Sequence, residues 1–236
     1  MSKGTVYLIP CPIGANNPAD VLPEDTIKII HELDYFIVEN EKTCRQFLRA
    51  ANHPKKIKEL DFEVLNKHTD PMDVINFIKP CLEGKSVGVI SESGCPGVAD
   101  PGSFVVKTAH QKGIQVVPLI GPSSILLSLM ASGFNGQSFS FVGYVPKDKA
   151  ALKKRLSELE GISRKFNQTQ IFIETPFRNK QLIENIKQYC SPNTDLCIAA
   201  NINQPDEIIL RKPLSQWQAN DLEIHKIPAV FLILAN

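Results

Sequence analysis

The sequence predicts two α/β domains, the first built on a mostly parallel sheet and the second on a mixed sheet. In the first half, short β-branched runs bounded by turn residues alternate with amphipathic helical patterns. The links between them are short, as expected where helices cover a parallel sheet. Toward the end of the chain, strand-like runs follow one another without a long helix between them, which favours hairpins and mixed pairing. The boundary is expected near Leu119, giving domains over residues 1–118 and 119–236.

Each element follows from its residues. The strands of the first domain are expected at Thr5–Ile9, Tyr35–Val38, 56–60, 86–90 and Gln115–Pro118. Val21, Ile27, Ile29, Ile30 and Leu33 approximate one helical face, and Pro23 and Glu24 suit its first turn. Residues 43–51 read as the next helix. Residues 71–82 follow, with Asp70 as N-cap and Val74, Ile75, Ile78 and Leu82 turned inward. A helix over 104–112 stops at Gly113, in the C′ position. The second domain is expected to carry helices over 122–131, 147–160 and 178–189. Its strands are expected at 138–142, 170–174, Asp195–Ala200, 207–211 and Ala229–Leu234.

Composition narrows the function classes. Twenty-six Lys and Arg against 25 Asp and Glu leave the 236-residue chain at a net charge of +1. Gripping nucleic acid by bulk charge alone is therefore excluded, whereas a local basic face is not. The longest apolar stretches, 125–131 and 229–235, fall far short of the ~20 residues a spanning helix needs. The apolar run within residues 1–10 is too short for a signal segment. Six cysteines form no C-x-x-C pair and read as reduced, buried small hydrophobes. The five histidines lack ligand spacing, so no metal is expected. A soluble cytoplasmic protein is the expectation.

Ten of the 13 glycines lie from Gly84 to Gly143, so the central loops need unusual backbone geometry or close ligand approach. One loop is Ser91-Glu92-Ser93-Gly94-Cys95-Pro96-Gly97-Val98-Ala99-Asp100-Pro101-Gly102, directly after a strand. A second is Gly121-Pro122-Ser123-Ser124, and a third is Pro10-Cys11-Pro12-Ile13-Gly14. All three sit at the carboxyl ends of expected strands, where open parallel sheets bind ligands. Neither G-x-G-x-x-G nor G-x-x-x-x-G-K-[ST] occurs, and these loops hold no Lys or Arg. Backbone groups with Ser and Glu suit a ligand bearing an amino group, hydroxyls and an aromatic ring; the alternative is that the loops are only tight turns.

These segments, with Val38-Glu39-Asn40, resemble the tetrapyrrole methylase superfamily. Further matches are Ala131-Ser132-Gly133, Phe141-Val142-Gly143-Tyr144-Val145-Pro146-Lys147 and Ile173-Glu174-Thr175-Pro176-Phe177-Arg178. The chain most resembles the branch that methylates a ribose 2′-hydroxyl of small-subunit ribosomal RNA. The resemblance implies two α/β domains with S-adenosylmethionine in the cleft between them, commonly in a homodimer. It places the cofactor against Pro12, Gly14, Ser91, Glu92, Gly94, Pro96, Val98, Ser123, Phe141, Val142, Pro228 and Ala229. The chain departs from that branch where it has Glu92 for Asp, Asn40-Glu41-Lys42 for Asp-Thr-Arg, and Phe177 for His. It also has Asn201-Ile202-Asn203-Gln204 for an Arg-Glu-Leu-Thr-Lys segment. These departures fall more on the substrate side than on the cofactor loops.

Within that frame each candidate residue has two readings. Glu92 either accepts from the cofactor's amino group or caps its own turn. Asp100 is an N-cap for the helix that follows or takes a direct part in the chemistry, and Ser123 either bonds the cofactor or caps the next helix. Glu39, Glu174 and Arg178 are the catalytic candidates. Glu39 is a general base at a strand end, or a solvated residue there. Arg178 holds a phosphate or acidic acceptor, or pairs with Glu174. Residues 147–165 hold seven Lys or Arg and three acids. Lys147, Lys149, Lys153 and Lys154 in this run suit an RNA backbone, or form a solvated helix face. Tyr144 and Phe166 are the nearby aromatics. Cys11 and Cys95 fit snugly against a ligand without acting as nucleophiles. Phe134 and Trp217 belong to a dimer interface or to the core. A tetrapyrrole or other small-molecule acceptor, and a non-catalytic sensor or ribosome assembly factor, remain alternatives to the RNA methyltransferase.

Overall fold

The computed structural model describes residues 2–14, 17–66, 69–70, 72–218 and 221–235. The chain divides into two compact units, Met1–Ser123 and Ser124–Asn236. The division falls a few residues beyond the expected boundary, at the start of a helix.

The first unit alternates as the hydrophobic runs require. Its order is β1 (Thr5–Ile9), α1 (Pro18–Val21), α2 (Glu24–Glu32), β2 (Tyr35–Val38), α3 (Glu41–Ala50), β3 (Asp61–Val64), α4 (Asp73–Phe77), α5 (Lys79–Leu82), β4 (Val87–Ile90), α6 (Gly102–Gln111) and β5 (Gln115–Pro118). The five strands lie in the order β3-β2-β4-β1-β5, and every pairing is parallel. β4 is central and buried at all four positions, which is why Val-Gly-Val-Ile shows no polar alternation. An added Cβ on Gly88 would stand 2.6 Å from Ile9 Cδ1, so a side chain there would oblige Ile9 to shift. Successive side chains of β1 alternate between two cores. Val6 joins Val74, Ile78 and Val105 under α4 and α6, and Ile9 joins Ile30, Phe36 and Leu48 under α2 and α3. Each fully buried side chain of this kind stabilises by roughly 1.5–3 kcal/mol.

Several expected elements move. The strand expected over 56–60 is a single 3-10 turn, and β3 starts instead at Asp61. The ladder with β2 decides this: Asp61 N–H donates to Asp34 O (2.9 Å), and the register then runs Tyr35–Asp61 to Val38–Val64. The helix expected over 71–82 is two pieces, and its expected start at 71 lies outside the described residues. Pro80 has no N–H and crowds the preceding turn, so the segment restarts as α5. Val74 and Ile78 are buried, but Ile75 and Leu82 are 36% and 41% exposed, against the expectation that they point inward. Val21 ends the separate one-turn α1, and Pro23 stands just before α2. α3 begins earlier than expected because Asn40 caps it, accepting from Lys42 N–H at 2.9 Å.

The second unit contains α7 (Ser124–Ser132), β6 (Phe139–Tyr144), α8 (Lys149–Phe166), β7 (Thr169–Ile173), α9 (Asn179–Tyr189), β8 (Asp195–Ala200), β9 (Ile208–Pro213) and β10 (Ala229–Leu234). Its sheet runs β6-β7-β10-β8-β9; β6 and β7 are parallel and the other pairs antiparallel. The sheet is thus mixed, and the α/β class read from the sequence holds in both units. Leu152, Leu156 and Leu159 of α8 cover one face together with Phe172 and Phe231, whose rings stack at 6.0 Å. Leu129 and Phe134 cover the other face against Ile171, Cys197 and Val230. Phe134 and Trp217 are therefore core residues; Trp217 Nε1 donates to Lys212 O at 3.0 Å. α8 continues past Gly161 to Phe166. The interior glycine costs only about 1 kcal/mol, and the buried Ser163 hydroxyl accepts from Ala235 N–H. Asn167, at φ +48°, ends the helix.

Candidate active site

In the first unit the chain leaves β1 toward β2 on one side and leaves β4 toward β5 on the other. Because β1 and β4 are neighbours, their carboxyl ends form the switch point at which open parallel sheets bind ligands. A pocket of about 290 Å³ lies there, lined among others by Cys11, Pro12, Gly14, Glu39, Thr43, Ser91 and Glu92. A wider hollow of about 860 Å³ shares Glu39, Asn40 and Glu92 with it and adds Gly97, Asp100 and Phe104. Together they have the size of a nucleoside-class site. No lysine or arginine lines either hollow among the described residues.

The loops around this pocket are tied to one another. Cys11 N–H donates to Gly94 O (2.9 Å) and Gly94 N–H to Cys11 O (3.1 Å), an antiparallel bridge between the ends of two parallel strands. Ser91 Oγ donates to Gly94 O at 3.0 Å. Asp100 accepts from Gly97 N–H on both oxygens, at 2.8 and 2.9 Å, and from Gly102 N–H at 2.6 Å. Gly94 and Gly97, at φ +71° and +83°, supply left-handed backbone for these turns. The sequence led us to expect much free backbone N–H and C=O here. Instead Gly94 uses both of its groups inside the clasp, and the Ser91 hydroxyl proton is also engaged. Pro96 is buried, whereas Val98 is 47% exposed and Gly14 is open. Ser123 is half-buried, in a loop held by Cys95 Sγ donating to Pro122 O at 3.4 Å. Burial, then the nearby Cys44, Glu92 and Glu39, push the Cys11 thiol far up, so it is no nucleophile.

Three carboxylates meet at the pocket. Glu92 is exposed, and Thr43 Oγ1 donates to its Oε1 at 2.5 Å. Glu39 is half-buried. Burial raises its pKa most, followed by the Asp100 charge, with the Glu92 charge acting the same way against a backbone hydrogen bond from Glu92. Burial likewise raises Asp100 against its three backbone bonds. A raised carboxylate pKa means the folded state binds more protons than the unfolded chain. Stability then falls as pH rises from the unfolded value through the folded one. Glu39→Gln is expected to flatten that decline, its melting temperature gaining on the parent's at pH 7.5 relative to pH 4.5. Equal pH dependence of the two melting curves would refute the assignment.

The second unit gathers the remaining candidates at one end of its sheet. Phe141 and Val142 lie near the carboxyl end of β6, Glu174 follows β7, and Pro228 with Ala229 opens the antiparallel β10. Pro228 is exposed, Ala229 is buried, and Pro228 O accepts from Asn201 N–H at 3.0 Å. Gly143, at φ +70°, lets β6 shift register between Phe141 and Tyr144. Glu174 is 5% exposed; its Oε1 accepts from Thr175 N–H and Oγ1 (both 3.0 Å) and stands 3.4 Å from Arg178 Nη1. Its Oε2 is buried without a hydrogen-bond partner among the described residues. The pair reading of Glu174 and Arg178 is thus realised, with one carboxylate oxygen left over. Lys147, Lys149, Lys153 and Lys154 are all exposed, beginning where β6 hands over to α8; Lys153 Nζ lies 5.9 Å from the centre of the Tyr189 ring.

A model of the family described as tetrapyrrole (corrin/porphyrin) methylases matches residues 5–218. The chain belongs to this methylase family. Membership makes it a methyltransferase, in keeping with a switch-point pocket edged by carboxylates. The ribosomal RNA small subunit methyltransferase I of Vibrio cholerae is 29% identical to this tetrapyrrole methylase over 231 residues, covering 97% of this chain and 76% of that one. The protein of the same name from Halalkalibacterium halodurans is 28% identical over 214 residues, covering 91% and 70%. Among solved structures, a diphthine synthase shares the fold with a TM-score of 0.69 at 13% identity, covering 98% of this chain and 90% of that one.

The sequence reading named Asn40 only within a family motif, missed Thr43 as part of the methylase's pocket, and favoured a capping role for Asp100 over a chemical one. Asn40 carried the familiar signal of an N-cap before a helix. Thr43 carried none, because its contact with Glu92 arises only when α3 packs beside the central loop.

Proposed function

We propose that this methylase transfers a methyl group from S-adenosylmethionine to a ribose 2′-hydroxyl of small-subunit ribosomal RNA. The observation that carries the reading is the switch-point pocket edged by Glu39, Glu92 and Asp100 and, among the described residues, by no cation. Such a donor set suits a cationic ligand with an amino group and hydroxyls, and repels a polyphosphate. The named relatives, aligned over nearly the whole chain, support the acceptor. When bound, S-adenosylmethionine supplies an electrophilic methyl on a positive sulfur. The chain's own work is to orient the acceptor oxygen, exclude water and receive one proton. Glu39 is the candidate base, since its raised pKa moves a carboxylate toward proton acceptance. Glu174 pairs with Arg178, whose guanidinium suits a phosphate of the acceptor. A homodimer, expected from the resemblance, is checked by sedimentation equilibrium.

The deciding experiment is transfer of a labelled methyl group to small ribosomal subunits lacking their native methylations. Label recovered in ribose, and lost in Glu92→Ala, is the expected result. No label from protein that binds S-adenosylmethionine would reject RNA as acceptor and direct attention to small molecules. A companion expectation concerns the basic run. If Lys147, Lys149, Lys153 and Lys154 meet phosphates, each Lys→Ala change lowers the salt slope of subunit binding by about one. An unchanged slope would assign these lysines to solvent.

A further inference from the structure

The same end of the second sheet carries an exposed aromatic residue. Phe177 stands in sequence between the catalytic candidates Glu174 and Arg178, yet 68% of its surface is open. Core packing does not account for it. Its ring meets that of His225 edge-on, with centroids 6.3 Å apart at 80°, and Lys226 Nζ lies 5.7 Å from its centre. The ammonium lies over the ring and the imidazole meets it edge-on, so a mostly exposed phenyl ring carries a positive charge beside it.

The surrounding structure holds this arrangement in place. His225 and Lys226 occupy the middle of a turn closed by Ile227 N–H donating to Ile224 O (3.3 Å). Lys226 is forced to φ +63°, left-handed backbone that favours glycine, and its N–H donates to Pro176 O at 3.1 Å. From inside, the fully buried Asn179 donates through Nδ2 to Ile224 O (3.1 Å) and Ile227 O (2.7 Å). The turn is thus pinned from inside by a buried amide, and it sets the Lys226 side chain beside the Phe177 ring. A second aromatic, Tyr144, is 63% exposed and pairs in register with Ile173, so it leaves the sheet at the same end. The exposed Lys147 and Lys149 follow it.

We propose that Phe177, flanked by His225 and Lys226, is a stacking platform for an unpaired base of the acceptor RNA. Unpaired bases are commonly held against aromatic faces while cations meet the adjoining phosphates. The platform holds a base of the acceptor RNA, so Phe177 is an RNA-binding and specificity residue. The inference rests on the RNA acceptor proposed above.

The test uses the full chain and a short single-stranded oligoribonucleotide carrying 2-aminopurine, whose fluorescence is quenched on stacking, alongside small ribosomal subunits lacking native methylations. Phe177→Ala is expected to abolish the quench and weaken RNA binding about tenfold. Phe177→Tyr should restore both and Phe177→Leu neither, with S-adenosylmethionine affinity unchanged throughout. Lys226→Gly suits the left-handed backbone while removing the ammonium, so lost RNA affinity with a parental melting curve assigns the loss to the side chain. A quench that survives Phe177→Ala, or equal rescue by Leu and Tyr, overturns the platform while leaving the RNA acceptor standing. Loss of S-adenosylmethionine affinity in place of RNA affinity overturns it too, by assigning the ring to the cofactor's adenine. A parent chain that binds neither RNA probe overturns the acceptor reading itself.

Discussion

Asp100→Ala is expected to destabilise the first unit by about 3 kcal/mol and to eliminate S-adenosylmethionine binding. The carboxylate accepts from Gly97 and Gly102 across a loop that contains two left-handed glycines and the left-handed Ala99. Hydrogen bonds to a charged group are worth about 1.5–3 kcal/mol each, and removing the acceptor leaves partly buried N–H groups unpaired. The loss should lower the melting temperature by roughly 6–12 °C. Asp100→Asn keeps one acceptor oxygen and should lose less of both properties. Thermal melting with calorimetric titration of S-adenosylmethionine separates the two effects. A well-folded Asp100→Ala protein with parental affinity would show that the loop is not held as described.

Gly121→Ala is the second large effect. A Cβ at this position would sit 2.2 Å from Pro10 Cγ and 2.4 Å from Pro10 Cβ, and a proline ring has no rotamer with which to escape. Overpacking of this sort costs about 1–3 kcal/mol, and the rigid neighbour places the change at the upper end. The strain falls on the contact between the turn after β1 and the loop after β5, two of the three loops of the site. Methyl transfer should therefore fall further than stability alone accounts for. Gly136→Ala is the matching control, since nothing lies within 4 Å of its added carbon. Equal denaturation midpoints for the two variants would show that the close approach of Gly121 and Pro10 does not constrain the fold.

Much of the architecture was legible in the residues because burial on both faces leaves a simple pattern. β4 reads as an unbroken apolar run and lies in the middle of its sheet, and the closely spaced runs late in the chain pair antiparallel. Edge strands are less legible. β3 is set by the register of β2 rather than by its own composition, and its residues Asp61 and Val64 are exposed. The break at Pro80 was visible, but the apolar spacing of Val74 and Ile78 masked it. At the site, Glu39 and Glu92 were legible because each closely follows a strand at the same sheet edge, Glu92 within a Gly/Pro loop. The part played by Thr43 depends on where a helix packs, and that of Asp100 on a turn that folds back upon it. The pairing of Glu174 with Arg178 was foreseeable from their spacing. The cluster of Phe177 with His225 and Lys226 was not, because it joins segments that only β10 and β7 bring together.

The clasp between Cys11 and Gly94 also constrains the order of events in biosynthesis. Its two halves lie far apart in the first unit's chain, with β2, β3 and their helices in the segment between them. Contacts of such long range form late, after the local elements have paid their ordering entropy. A nascent chain translated only as far as β3 already holds Glu39, but it has neither Glu92 nor the partner that fixes the first loop. The pocket is consequently among the last features of its unit to mature, and truncated translation products lack it however much secondary structure they have gained.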